Sequence, residues 1–387
     1  MRVLMISDVY FPRINGVSTS IETFRNDLAA QQVRTTLVAP AYPHTQESPD
    51  IHRVAARQLP FDPEDRLMHW GELHRTADRL ASINADVIHV QTPFAAHYAG
   101  VKAARRHGLP VVATYHTHFE EYFHHYLPLA PKALLKGLAR RVARQQCNQL
   151  DAVVVPSRAM RDALGDYGVT APMHILPTGI PVGQFEGGDG AAFRQRHDIP
   201  AERKVALYVG RVAHEKNIGF LLDALSRAIK LRPELMLVIA GEGPALPALK
   251  RDAQQRGLAD HTRFVGYLDR SSDLPSCYAA ADVFVFSSRT ETQGLVLLEA
   301  MAAGVPVYAF AAMGTCDIIE PRRGALPAPQ DAAEFAAGLT DLVGDAPLLA
   351  SLGQEGRRFA AEWSAPQRAQ QLADLYRSLR RNPKPQP

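Results

Sequence analysis

The chain has 387 residues, with 43 Lys and Arg against 40 Asp and Glu, a formal net charge of +3 and 46% hydrophobic residues. At roughly 100–200 residues per domain this length predicts two or three domains, each able to bury its own core, and the composition excludes a disordered or fibrous chain. The near-balance of charge gives no whole-molecule field to draw nucleic acid, and the 3 cysteines, lacking a Cys-x-x-Cys pair, speak against a disulfide framework or a cysteine-rich zinc site.

A reducing cytosol fits that cysteine usage. The first residues are apolar only up to Asp8, too short for a signal-peptide core. Short apolar runs without polar alternation recur at 3–6, 36–39, 87–90, 111–114 and 152–155, separated by amphipathic stretches such as 18–31 and 94–107. Such runs predict strands covered on both faces, hence a parallel sheet of right-handed strand–helix–strand units. The pattern restarts after the turn-rich 177–181 and the glycine cluster at 187–190, with strands expected at 205–209, 235–240, 263–265, 283–286 and 306–309. Two sheets fit the length better than one large one. The stretch 294–314 approaches the length of a membrane span, but Glu299 and the Gly304-Val305-Pro306 break make it a buried helix followed by a buried strand. The basic, proline-rich tail is expected to end in disorder.

In open α/β sheets ligands bind beyond the carboxyl ends of the strands, so the residues just after each run come first. After the first strand, Asn15-Gly16 permits positive φ and close backbone approach, and the helix opening at Ser18 offers N–H groups to an anion; a plain turn is the competing reading. After 111–114 comes a loop rich in histidine and aromatics that includes His116, His118 and Tyr122. Its His-x-His and His-His spacings lack the i, i+4 geometry of a helical zinc site, and no Asp-x-Asp pair offers a divalent metal a seat, so a hydrogen-bonding substrate loop is expected.

In the second half, the strand at 205–209 runs into Gly210-Arg211, with Lys216-Asn217 following. Arg as a fork and Lys as a point charge can converge on a diphosphate, a solvated turn being the alternative. Gly241-Glu242-Gly243 lacks the third glycine of a dinucleotide fingerprint, which weakens a nicotinamide reading. The densest signal lies at 287–306. Thr290 and Thr292 are placed to cap a helix starting near Gln293-Gly294, whose first N–H groups can hold phosphate oxygens. Glu291 precedes that helix, and Glu299 lies about two turns inside it on an apolar face, where an unpaired carboxylate is costly. Ribose hydroxyls would satisfy it; so would a buried arginine.

Together, the Glu291-x7-Glu299 pair, Gly210-Arg211, Lys216-Asn217, Asn15-Gly16 and the ending at 299–307 resemble the retaining nucleotide-sugar glycosyltransferases of family 4, over nearly the whole chain. The resemblance implies an α/β architecture of the GT-B type, two Rossmann-like doubly wound parallel-sheet domains facing across a cleft. An N-terminal acceptor domain over 1–178, joined by a C-terminal helix at 365–380, would be followed by a linker at 179–199 and a donor domain at 200–364. A hexose would pass from a nucleoside-diphosphate sugar, a UDP-hexose such as UDP-glucose ahead of GDP-mannose, to an acceptor hydroxyl, with no cofactor and no metal.

On the family pattern, Arg211 and Lys216 stabilise the leaving diphosphate, Glu291 contacts the donor sugar, and Glu299 binds the ribose hydroxyls. The backbone at Gly294, Leu295 and Val296 holds the diphosphate, and Gly16 borders it. His116 or His118 hydrogen-bonds the donor sugar near the reacting carbon, His116 following the strand more closely. No carboxylate nucleophile stands out. Where many relatives have a Gly-Gly-rich segment after the strand at 306–309, this chain has Gly314-Thr315.

For the acceptor, the segment 131–144 places Leu134, Leu135, Leu138 and Val142 on one stripe and Lys132, Lys136, Arg140 and Arg144 on another. A basic amphipathic helix suits an anionic membrane surface, while a helix with its apolar face on the sheet is the competing reading. The loop at 114–126 is similar to that of diacylglycerol glucosyltransferases, with Tyr122 and His118 as acceptor or sugar-loop candidates. This points to a membrane lipid acceptor and a cytoplasmic enzyme on the inner face of the membrane. A soluble or polyprenyl-linked saccharide is the rival acceptor, and an epimerase of related fold or a noncatalytic nucleotide-binding protein the rival class.

Overall fold

Aliphatic runs with no polar alternation form the central strands, because a strand covered on both faces has no solvent side for polar residues to mark. The computed structural model describes residues 1–43, 45, 48–59, 62–116 and 132–381. Its chain divides into two compact units, Met1–Gly179 with Ala365–Pro387, and Ile180–Ser364.

The first unit contains β1 (Arg2–Ile6), β2 (Arg34–Pro40), β3 (Ile51–Val54), β4 (Ala56–Leu59), β5 (Asp62–Met68), β6 (Val87–Val90), β7 (Val111–Thr114), β8 (Ala152–Val155) and β9 (Met173–Ile175). Seven of these form one sheet in the order β3-β2-β1-β6-β7-β8-β9, while β4 and β5 pair antiparallel beside it. Ile6 stands opposite Val90 in a parallel register, and the strand order reverses between β1 and β6, the kind of switch point beyond whose carboxyl ends open α/β sheets bind ligands. Successive residues of β1 face opposite layers. Val3 and Met5 pack with the helices Gly16–Leu28 and Ala365–Arg381 through Ile21, Phe24, Leu372 and Tyr376. Leu4 and Ile6 pack with Leu73, Ala96 and Ala143 from the helices Trp70–Asn84, Ala95–His107 and Lys132–Cys147.

The second unit carries β10 (Lys204–Val209), β11 (Leu235–Ala240), β12 (Thr262–Gly266), β13 (Val283–Phe286), β14 (Val307–Ala309) and β15 (Ala325–Pro327), ordered β12-β11-β10-β13-β14-β15. All its pairings are parallel, and the switch point lies between β10 and β13. The apolar stretch at 294–314 is the buried helix Leu295–Ala302 followed by β14. No single helix among the described residues is long and apolar enough to cross a membrane; one pair, Ala332–Gly344 with Ala346–Ala361, passes by length and composition but bends by 93°. Its Phe335, Leu339 and Phe359 sit in the core of this unit.

Residues 180–199, expected as a linker, belong to the second unit instead. A 3-10 turn, Val182–Phe185, and the helix Gly190–Arg196 place Phe185 and Phe193, each 1% exposed, in its core. The glycine cluster is a packing device: a Cβ at Gly188 would stand 2.3 Å from the Pro275 carbonyl oxygen. The helix Ala365–Arg381 packs on the first unit, and the end of the tail, 382–387, lies outside the described residues.

Candidate active site

At the switch point of the first unit, the chain leaving β1 is tied to the chain leaving β6. The Asp8 N–H donates to Thr92 Oγ1 at 2.7 Å, and that hydroxyl donates to Asp8 Oδ2 at 2.7 Å. The Ala96 N–H, in the first turn of the helix Ala95–His107, also donates to the Asp8 carboxylate at 3.2 Å. Burial pushes the Asp8 carboxyl up to about 6 even though these hydrogen bonds favour its charged form. The Gln91 N–H completes the tie by donating to the Ile6 carbonyl at 2.9 Å.

Gln91 Oε1 lies 3.0 Å from Nε2 of His116, two residues past β7. Burial lowers His116 to about 4, so its ring is neutral at pH 7. Behind it, His89 of β6 spans from the Tyr376 hydroxyl, 2.5 Å from Nδ1, to the Thr114 hydroxyl, 2.7 Å from Nε2. Burial, with His116 nearby, lowers His89 to about 3. Asn15 does not make the positive-φ turn expected of Asn-Gly. Its φ is −157°, and its side chain caps the helix by accepting from the Ser18 N–H at 2.8 Å. The helix therefore opens at Gly16 rather than Ser18, and Gly16 has open space where a Cβ would stand.

In the second unit, Lys216 closes the short turn His214–Lys216 and Asn217 follows at φ 56°. The Ser287 hydroxyl donates to the Asn217 carbonyl at 2.9 Å, and the Asn217 side chain donates to the Ser287 carbonyl at 3.3 Å, fixing this turn beside the end of β13. Lys216 Nζ then reaches the Glu291 carboxylate. Arg211 is exposed on the loop after β10, its carbonyl accepting from the Tyr208 hydroxyl at 3.1 Å.

Thr290 and Thr292 do not cap the next helix. Its N-cap is Gly294, at φ 91°, with no side-chain cap, and Leu295 and Val296 form its first turn. Gly314 lies against this start: its N–H donates to the Glu291 carbonyl at 2.8 Å, and a Cβ on it would stand 1.9 Å from the Thr292 carbonyl oxygen. The Gly314-Thr315 turn thus packs backbone to backbone against the segment bearing Glu291. Glu299, 1% exposed, has the arginine partner that was the competing reading: Arg270 donates to Oε1, and the Tyr278 hydroxyl donates to Oε2 at 2.9 Å.

On the helix Lys132–Cys147 the buried face is Ala139, Ala143, Gln146 and Cys147, whereas Leu138 of the expected apolar stripe is 50% exposed. Arg140 and Arg144 are exposed and Lys136 half-buried, with the Arg140 guanidinium 5.3 Å from the centre of the Tyr167 ring. His118, Tyr122 and the Lys132 side chain lie outside the description. Among the described residues no three His, Cys, Asp or Glu side chains gather to hold a metal ion. No sequence motif marks Gln91, Arg270 or Tyr278. Asp8 had a usable signal, a carboxylate at a strand's carboxyl end, but Arg270 stands 29 positions from Glu299 with no local pattern to join them.

Two family models match the chain: "Glycosyltransferase Family 4" over residues 14–184 and "Glycosyl transferases group 1" over 189–359. The alpha-monoglucosyldiacylglycerol synthase of Streptococcus pneumoniae is 32% identical over 80% of this chain and 71% of its own. The chain belongs to glycosyltransferase family 4. This family 4 enzyme is also 29% identical to a GDP-mannose-dependent alpha-mannosyltransferase of Mycobacterium tuberculosis, over 93% of this chain and 90% of that one. Among solved structures, Anabaena HepE, in complex with UDP and glucose, superposes with a TM-score of 0.79 at 19% identity, covering 98% of this chain and 100% of that one. Such a likeness speaks for the fold: the family 4 enzyme has the GT-B architecture of two Rossmann-like units.

Proposed function

We propose that this enzyme moves a hexose, with retention of anomeric configuration, from a nucleoside-diphosphate sugar to a hydroxyl of a membrane lipid of the diacylglycerol class. The observation that carries the donor side is the meeting of Lys216 and Glu291 beside the glycine-started helix Leu295–Ala302, a cation and backbone dipoles converging at one strand end. As the bond from the anomeric carbon to the phosphate oxygen breaks, its electron pair goes to the diphosphate. Lys216, Arg211 and the N–H groups at Gly294, Leu295 and Val296 act where that charge grows. Glu291 orients the sugar, Glu299 takes the ribose hydroxyls, Gly16 borders the diphosphate, and neutral His116 accepts or donates a hydrogen bond beside the reacting carbon. The acceptor oxygen bonds the same face of that carbon, and its proton passes to the departing phosphate oxygen. No step needs a metal or cofactor.

The lipid acceptor, and glucose over mannose as the hexose, are favoured by the similarity to an alpha-monoglucosyldiacylglycerol synthase, which aligns at higher identity than the mannosyltransferases; UDP as the carrier rests on the family resemblance of the sequence. Lys136, Arg140 and Arg144, with Lys132 at the same spacing in the sequence, would give this helix a basic side suited to an anionic inner membrane face, and His118 and Tyr122 are assigned to the acceptor loop. The test offers UDP-glucose, UDP-galactose and GDP-mannose with diacylglycerol in vesicles or with soluble saccharides. An α-linked glycolipid from a UDP-hexose is expected. Transfer to saccharides alone would overturn the lipid assignment, and an inverted product the retaining one.

A further inference from the structure

Three aromatic residues of the first unit stand half in solvent: Trp70 is 54% exposed, Phe94 51% and Tyr98 48%. Trp70 opens the helix Trp70–Asn84, Phe94 is the N-cap of Ala95–His107, and Tyr98 follows one turn later. The Trp70 and Tyr98 rings approach to 6.1 Å. The Gln146 side chain, from the helix Lys132–Cys147, donates to the Tyr98 hydroxyl at 3.4 Å and to the Pro93 carbonyl at 2.8 Å. This aromatic edge thus joins three helices, and Phe94 lies two residues from Ala96, whose N–H holds Asp8 at the switch point.

A single exposed apolar residue is ordinary, whereas neighbouring aromatics left in water mark an interaction surface, and their exposure excludes a core role. The charge around them names the partner. Ala95–His107 carries three Lys or Arg and Lys132–Cys147 five, and neither helix contains an Asp or Glu. The whole chain carries only +3, so the remainder is net negative and these two helices concentrate the cations. Lys102 and Arg105 follow Tyr98 at helical spacing and are exposed with it. Asp78 of the neighbouring helix is already paired with Arg106 and His107, each at 2.9 Å. Trp and Tyr have an apolar body and a polar tip, the form that settles at the headgroup level of a bilayer, and cations beside them complement anionic lipid. We propose that Trp70, Phe94 and Tyr98 enter the headgroup layer of an anionic bilayer, with the two basic helices on the lipid phosphates around them; this rests on the lipid acceptor proposed above. Seated in this way, the first unit meets acceptor hydroxyls at the membrane surface, beside its switch point.

The test uses Trp363→Phe, which leaves Trp70 as the only tryptophan, with vesicles of phosphatidylglycerol and phosphatidylcholine and no donor. Trp70 emission is expected to shift to the blue on binding and to be quenched by lipids brominated high on the acyl chain. Trp70→Ala should weaken vesicle binding about fivefold or more at low and high salt alike, because an apolar contribution is not screened, whereas the cations act at low salt. Flotation with Trp70 emission unchanged overturns the proposal, the membrane then meeting another face, and leaves the lipid acceptor standing. Absence of flotation at any salt also overturns it, and glycolipid formation from detergent-dispersed diacylglycerol then decides separately whether the acceptor reading survives. A blue shift that grows with protein concentration before vesicles are added assigns the edge to a second copy of the chain, and it too overturns the proposal. Should Trp363→Phe not fold, the difference in emission between wild type and Trp70→Phe gives the same reading.

Discussion

Lys216 donates its Nζ to the carboxylate of Glu291, 75 positions away, with the two side chains 18% and 19% exposed. Each residue holds the other ready at the strand end where the diphosphate charge would develop. Lys216→Ala and Glu291→Gln should each lower turnover by about 10²–10³, the range for removing one group from a charge-stabilising site. Thermal unfolding is measured alongside, because removing one partner of a pair this little exposed leaves the other uncompensated and should lower stability. Steady-state rates at saturating donor check this, and a Lys216→Ala enzyme within about threefold of wild type would remove Lys216 from the proposed chemistry.

Acid should weaken the first unit. Burial lowers His89 to about 3 and His97 and His116 to about 4, whereas in the unfolded chain they titrate near 6.5. Between those values the unfolded chain binds protons that the folded one refuses, so stability is full above pH 6.5 and is lost as pH falls toward 4. Asp8 acts oppositely. Raised to about 6, its carboxyl holds a proton in the folded state that the unfolded chain has released, so its contribution grows as pH falls from 6. Urea midpoints across a pH series should therefore decline from pH 6.5 to 4, more gently in His89→Gln and more steeply in Asp8→Asn. Identical slopes in all three proteins would rule these groups out as the cause.

Two glycines should respond in opposite ways. Gly314→Ala would put a methyl group 1.9 Å from the Thr292 carbonyl oxygen, so the turn and the Glu291 segment must separate. A loss of about 1–3 kcal/mol or more in chemical unfolding is expected, together with weaker donor binding. Gly16→Ala meets open space in a helical first turn and should stay within about 0.5 kcal/mol of wild type. Any fall in donor affinity in Gly16→Ala would then report contact with the diphosphate.

Replacing Lys136, Arg140 and Arg144 by Gln should weaken binding to vesicles containing phosphatidylglycerol by about fivefold per residue. Binding to uncharged vesicles should not change. Flotation at low and high salt checks the pattern, and equal flotation of variant and wild type would detach this helix from the membrane role.

Chelation by EDTA should leave turnover unchanged. A loss restored by added magnesium would return a metal to the mechanism.

The strands of both sheets were readable where both faces are covered, since runs such as 152–155 and 235–240 carry no polar interruption. β3, β9 and β15 carry no such signal because they are short or bear His and Arg, as in Ile51–Val54, and take their strand character from neighbours already in place. The residues of the site were legible as types at strand ends, but their partners were not. Asp8 meets Thr92, His116 meets Gln91 and Glu299 meets Arg270 only once the sheets bring distant loops together. The capping threonines failed for a local reason: Gly294 supplies the left-handed start that neither threonine can.

The helix Ala365–Arg381 covers one face of a sheet whose strands end by residue 175, with Tyr376 bonded to His89 in β6. Synthesis on the ribosome runs from the amino end, so the apolar face formed by Val3, Met5, Leu37 and Val112 emerges long before the helix that seals it. The second unit, continuous from Ile180 to Ser364, can complete its core in the interval. The first to be translated is therefore the last to be finished, and a chain cut short at Ser364 would present an uncovered hydrophobic sheet to chaperones and to other copies of itself.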